Sequence, residues 1–80
     1  MAATLAERLG HAADARLLII NCDDLGATSA ANRAIRAAMA DGIATSTTLM
    51  VPCPWALDGV RRAPEGGIGV HLTLTCEYPG

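Results

Sequence analysis

The ten residues Leu17-Leu18-Ile19-Ile20-Asn21-Cys22-Asp23-Asp24-Leu25-Gly26 decide how this chain is read. Four consecutive branched apolar residues give way abruptly to Asn21, Asp23 and Asp24. An uninterrupted run of this kind marks a strand buried on both faces of a parallel sheet, which places the first strand at residues 17–20. Its carboxyl end then carries an adjacent pair of carboxylates.

Downstream, residues 26–29 read as a loop, with Ser29 placed to cap a helix. Ala31, Ala34, Ile35, Ala38 and Met39 recur at helical spacing, with Arg33 and Arg36 between them, and Asp41-Gly42 stops the run. A Thr-rich second strand over residues 45–51 ends at Pro52 and Pro54, which cannot donate to a ladder. A second helix covers residues 55–62. The turn Pro64-Glu65-Gly66-Gly67 leads to a third strand over residues 68–75, with Ile68, Val70, Leu72 and Leu74 on one face. Gly69, His71, Thr73 and Thr75 occupy the other. The order is α/β, a β-α-β-α-β unit whose helical crossovers make the strands parallel and the connections right-handed. Upstream, residues 1–15 form a leader with a short helix over residues 4–13, capped by Thr4, and residues 16–80 carry the main unit.

The chain has 80 residues, of which 51% are hydrophobic, yet Phe is absent and Trp and Tyr occur once each. A chain of this length buries only about 60% of the surface its unfolded form exposes, and small Ala, Val, Ile and Leu side chains add little to that. Part of a larger α/β fold is therefore the expectation. Six Arg, no Lys and eight acids leave a net charge of −2, which offers no field for nucleic acid. No run approaches the ~18 apolar residues of a membrane span, and Glu7 and Arg8 interrupt the segment where a signal peptide would be apolar. Cys22, Cys53 and Cys76 are odd in number and form no C-x-x-C pair, which suits reduced thiols. A cytoplasmic protein without membrane or nucleic-acid partners is expected. A homo-oligomer stays open.

In parallel α/β folds reactive groups collect at the carboxyl ends of strands. Asp23 and Asp24 lie at one such end, and His71 lies on the polar face of the third strand. Adjacent carboxylates at a strand end point in different directions, which suits one metal ligand and one base. An Asp and His set accepts Mg²⁺, Mn²⁺, Zn²⁺ or Co²⁺ alike. Spacing alone also allows a bland account, with the acids capping the next helix and the His bonded in a core. Ser46, Thr47, Thr48 and Thr73 read first as strand formers that also line a polar interior. Trp55 reads as packing over its loop, with stacking on a sugar ring as the alternative. A phosphoacceptor receiver domain also begins with an acidic pair, but it needs an Asp after the third strand and a Lys beyond; this chain has His71 and Thr73 there and no Lys.

Three co-linear blocks carry more than spacing: Leu18-Ile-Ile-Asn-Cys-Asp-Asp-Leu-Gly26 with Asn32, then Asp41-Gly-Ile-Ala-Thr-Ser-Thr-Thr-Leu-Met50, then Gly69-Val-His-Leu-Thr-Leu-Thr75. Together they resemble the YdjC-like carbohydrate deacetylases, a group including chitooligosaccharide and hopanoid-biosynthesis-associated deacetylases, over residues 16–80. The resemblance implies an (α/β) barrel-like fold, of which this chain is the N-terminal portion with three strands. It implies a hydrolase that removes acetyl from an N-acetylated sugar or oligosaccharide with a divalent cation, Mg²⁺ first among the candidates. Asp23 is then the catalytic base, and Asp24 and His71 are metal ligands. The family's third ligand is a further His, and no His follows His71, so the resemblance places that ligand and a general acid beyond Gly80. Leu25 stands where the family usually has Phe, and Cys22 where it often has Ala; both keep an apolar residue. The competing expectation is a truncated, non-catalytic fragment.

Overall fold

The computed structural model describes residues 2–63 and 66–75. Six elements follow one another: α1 (Leu5–Arg8), β1 (Asn21–Leu25), α2 (Ser29–Ala40), β2 (Ser46–Leu49), α3 (Ala56–Arg61) and β3 (Gly67–Val70). The three strands pair in the order β1-β2-β3, both pairings parallel. The α/β alternation expected from the sequence is the observed one.

The first strand, however, is not residues 17–20. Strand β1 begins at Asn21 and includes the polar stretch that was expected to end it. The reason is pairing. Asn21 lies opposite Ser46, where β2 begins, so nothing stands beside Leu17, Leu18 and Ile19 to complete a ladder. Contact with the second strand starts only at Ile20, whose carbonyl accepts from the amides of Thr45 (2.8 Å) and Ser46 (3.3 Å). Leu18 and Ile19 are accordingly exposed, at 77% and 78%. The third strand is also shorter than the expected 68–75. The His71 amide still donates to the Leu49 carbonyl at 3.0 Å, but β2 stops at Leu49, and the alternation of Leu72 and Leu74 continues without a partner strand.

Helix α2 runs as expected but is capped by Thr28 instead of Ser29: the Thr28 hydroxyl accepts from the Ala31 amide at 2.9 Å. The leader helix is a single turn. Thr4 and Glu7 form a capping box at its start, as Thr4's position predicts. It ends at once because His11 N–H bonds to Ala6 carbonyl and Gly10 N–H to Glu7 carbonyl, a Schellman closure with Gly10 at φ 90. Helix α3 fills the expected place, with Trp55 and Arg62 as its caps. Of the expected 64–67 turn, Pro64 and Glu65 lie outside the described residues, as does Cys76.

Register assigns the sheet two unlike faces. Cys22, Thr47 and Ile68 stand side by side on one, followed by Leu49 and Val70; Asn21, Ser46 and Gly67 begin the other, followed by Thr48, Gly69 and His71. The first face receives the helices. Leu25 and Ile35 are buried there, and Thr47, fully buried, directs its hydroxyl to the Cys22 carbonyl at 2.7 Å. Thr47 therefore belongs to the helix side and not to the polar lining. No helix among the described residues is long and apolar enough to cross a membrane.

Candidate functional site

The polar face carries a row of hydrogen bonds across the strands. Ser46 Oγ donates to Asn21 Oδ1 at 2.7 Å, and Asn21 Nδ2 donates to Asp23 Oδ1 at 2.9 Å. Asn21 therefore fixes one oxygen of Asp23, and Ser46 fixes Asn21. Further toward the carboxyl ends, His71 Nδ1 lies 3.5 Å from Asp24 Oδ1 and 3.3 Å from the Thr48 hydroxyl. His71 directly follows β3, Thr48 comes from β2 and Asp24 from β1, so the group draws on all three strand ends. The Thr73 hydroxyl donates to the His71 carbonyl at 2.7 Å and steadies the chain as it leaves the sheet.

The two carboxylates diverge because the backbone does. Asp24 has φ 73, a left-handed conformation that Asp and Asn tolerate better than other non-glycine residues. The pairing shifts at this point, from Cys22 opposite Thr47 to Leu25 opposite Leu49, so the acids occupy a bulge. A bulge re-aims side chains. Asp23 stays with Asn21 while Asp24 turns toward His71, and Leu25 returns to the helix side.

The segment beyond the bulge is clamped. Gly26, at φ 96, donates its N–H to Asn32 Oδ1 at 2.6 Å, and its carbonyl accepts from the Trp55 amide at 2.9 Å. A Cβ on Gly26 would lie 2.9 Å from the Ala56 Cα, so the loop after β1 and the start of α3 meet where only glycine fits. Asn32 Nδ2 donates to the Trp55 carbonyl at 3.0 Å and to Asp58 Oδ2 at 3.1 Å. Asp58 in turn faces Arg36 Nη1 at 3.5 Å and Arg62 Nε at 3.4 Å. Trp55 is 44% exposed and shares a shallow concavity with Ala27, Thr28 and Pro54 at this end of the sheet.

Of the three residues singled out from sequence, the structure brings Asp24 and His71 together and turns Asp23 to Asn21. Among the described residues no group of three or more His, Cys, Asp and Glu side chains gathers to hold a metal ion. Asn21 was missed as a partner of the site, whereas Ser46 and Thr48, read from sequence as strand formers that also line a polar interior, lie on the polar face beside it. Period-two alternation from the Asn21–Ser46 pair would have placed all three on the His71 face.

A parallel α/β unit with an acidic bulge at one strand end and a histidine two strands away defines the class. Residues 17–80 match the family described as YdjC-like protein, and the chain belongs to that family. It is similar to a carbohydrate deacetylase of Geobacillus stearothermophilus, 42% identical over 67 residues, which cover 80% of this chain and 27% of the relative. Carbohydrate deacetylase 2 of Listeria innocua is 49% identical over 65 residues, or 78% of this chain and 26% of that protein. A Vibrio cholerae carbohydrate deacetylase is 42% identical over 65 residues, again 26% of its length. The chain thus spans about a quarter of the length of these curated relatives. No solved structure matches it. Membership displaces the receiver-domain alternative.

Proposed function

We propose that this chain carries part of the active site of a carbohydrate deacetylase, a hydrolase that releases acetate from an N-acetylated sugar or oligosaccharide with a divalent cation, Mg²⁺ first among the candidates. The observation that carries the proposal is the convergence of Asp24 and His71 from opposite edges of the sheet, 3.5 Å apart. That separation is less than twice the ~2.1 Å at which carboxylate oxygen and imidazole nitrogen contact Zn²⁺, so both donors can reach one ion. A mixed O/N pair suits Zn²⁺, Mn²⁺, Co²⁺ or Mg²⁺. The relatives' names support the substrate class, and the open three-stranded sheet is compatible with the first part of a barrel-like fold.

In this reading Asp24 and His71 hold the cation, with a third ligand supplied from outside the described residues. The cation, when bound, polarises the acetyl carbonyl and acidifies a water. Asp23 serves as the base. Asn21 holds its Oδ1, which aims the other carboxylate oxygen and leaves it to accept the water's proton. Thr48 contacts His71 at Nδ1, the nitrogen that faces Asp24, so ligation there would take the place of the Thr48 bond.

The test replaces the matched segment of the Listeria innocua relative with residues 17–80 and measures acetate release from N-acetylglucosamine oligomers. The chimera is expected to turn over. Asp23→Asn is expected to lower kcat by about 10²–10⁴ with metal content unchanged, the range for loss of a general base. Asp24→Asn is expected to lower metal content. Turnover that survives Asp23→Asn overturns the assignment of the base.

A further inference from the structure

We propose that Asn32 is a positioning residue for the Asp24–His71 pair: by clamping the Gly26 amide to α3 it keeps the acidic bulge turned toward His71. The use of that pair rests on the deacetylase reading; the positioning rests on the fold alone.

Asn32 is 0% exposed, on the face of α2 that it shares with Ile35. A buried amide is costly unless its polar atoms are matched, and an apolar residue would serve if this position only packed α2 on the sheet. Here Oδ1 accepts from Gly26, and Nδ2 donates to both the Trp55 carbonyl and Asp58. One side chain therefore joins the loop after β1, the entry to α3 and α3 itself. The Trp55 carbonyl and the Asp58 carboxylate are both acceptors, so they admit only the Nδ2 end of the amide and direct Oδ1 at Gly26. Arg36 on α2 and Arg62 at the C-cap of α3 hold Asp58 in place.

The connection to the site is short. Gly26 lies two residues beyond Asp24, and the residue between them, Leu25, is fixed by burial and by the Met50 amide on its carbonyl. Asp24 is held at a positive φ, which an L-residue does not adopt at no cost. Such a conformation persists only where its surroundings impose it. With Leu25 and Gly26 both fixed, the bulge cannot relax to a regular strand, because relaxing would move the Gly26 amide away from Asn32. Released, Asp24 returns to extended backbone, and its carboxylate leaves His71.

The 80-residue chain, ¹⁵N-labelled, allows a test with Mn²⁺ as the probe. Three quantities are read: hydrogen exchange of the Gly26 amide, the nuclear Overhauser contact between the His71 ring and the Asp24 β-protons, and the Mn²⁺ dissociation constant from paramagnetic broadening at residues 24 and 71. In Asn32→Asp the second carboxylate oxygen faces Trp55 carbonyl and Asp58. Gly26 exchange is expected to accelerate at least tenfold, the contact to vanish and the Mn²⁺ constant to rise at least fivefold. The double variant Asn32→Asp with Asp58→Asn sets a donor against the new carboxylate and is expected to recover at least half of each change on a logarithmic scale. A role in stability alone predicts no such recovery of metal affinity in the folded chain. Folded Asn32→Asp chains that keep the contact and the affinity overturn the proposal. If Asn32 variants do not fold, Asp58→Ala, at the half-buried end of the network, is expected to move all three quantities in the same direction, and no movement overturns it. If the native chain shows no Mn²⁺ broadening, the metal reading fails, while the contact and the Gly26 exchange still decide the positioning.

Discussion

Asp58 gives up its proton more readily than an ordinary aspartate: Asn32 donates to it, partial burial opposes, and Arg36 and Arg62 add to the effect. Its folded pKa is lowered from 3.8, so its contribution to stability is complete above that value. As the pH falls through 3.8 the unfolded chain takes the proton first, and the contribution is lost on the way down to the folded pKa. Urea midpoints measured from pH 5 to pH 2 should fall less steeply in Asp58→Asn than in the native chain. At Gly26 the expected effect is larger and independent of pH. Gly26→Ala sets a Cβ against the Ala56 backbone at a φ of 96 and should destabilise by about 2–3 kcal/mol, read from the same midpoints. Asp23, Asp24 and His71 stood out in the sequence as candidates because carboxylates and imidazole on parallel strands are chemically conspicuous. It did not show that Asp24 alone would turn to His71, because that depends on one backbone angle. Asn32 gave a fainter signal, an amide three residues before Ile35 on the helix face that packs inward.

At the scale of the elements, alternation of helix and strand was legible throughout, and the errors concern where elements begin and end, the leader helix expected over 4–13 being only Leu5–Arg8. The apolar run 17–20 has the composition of a buried strand, but a strand exists only where a neighbour runs beside it, and β2 spans only Ser46–Leu49. The same limit cuts β3 at Val70 although its pattern continues to Thr75. Partner length is a tertiary property and leaves no trace in the segment itself. Caps are more local, yet Thr28 and Ser29 are chemically equivalent candidates and the choice between them turns on one residue's backbone. Thr28 adopts the extended conformation and accepts from Ala31. Thr28→Ala should therefore cost about 1 kcal/mol, whereas Ser29→Ala should cost a few tenths, a difference that thermal unfolding followed by circular dichroism resolves.

The whole molecule is a two-layer slab, with extents of 51 × 28 × 17 Å. Its radius of gyration is 15.3 Å, against about 11.6 Å for a compact domain of this length. Its accessible surface is 5877 Å², against the ~4500 Å² that scaling for a compact monomer gives. Among the described residues α2 and α3 cover one face of the sheet, and no element covers the other, which carries the site. Large apolar side chains stay outside both layers, Leu72 at 91% and Leu74 beside it. Apolar surface of this extent drives association. Sedimentation of the 80-residue chain should show concentration-dependent assembly, and Leu18→Ser with Leu72→Ser should reduce it while changing the unfolding midpoint by less than about 0.5 kcal/mol equivalent.

Trp55 offers a means of following all this without labels. It is the one indole in the chain, and its backbone is bonded on one side to Gly26 and on the other to Asn32. The residue is partly exposed and lines a shallow concavity with Ala27 and Thr28 of the loop after β1. Tryptophan fluorescence, excited at wavelengths the single tyrosine does not absorb, therefore reports one junction in place of a global average. A shift in emission that precedes loss of helical signal on denaturation would mean that the loop beside the acidic bulge parts from α3 while the sheet is still standing.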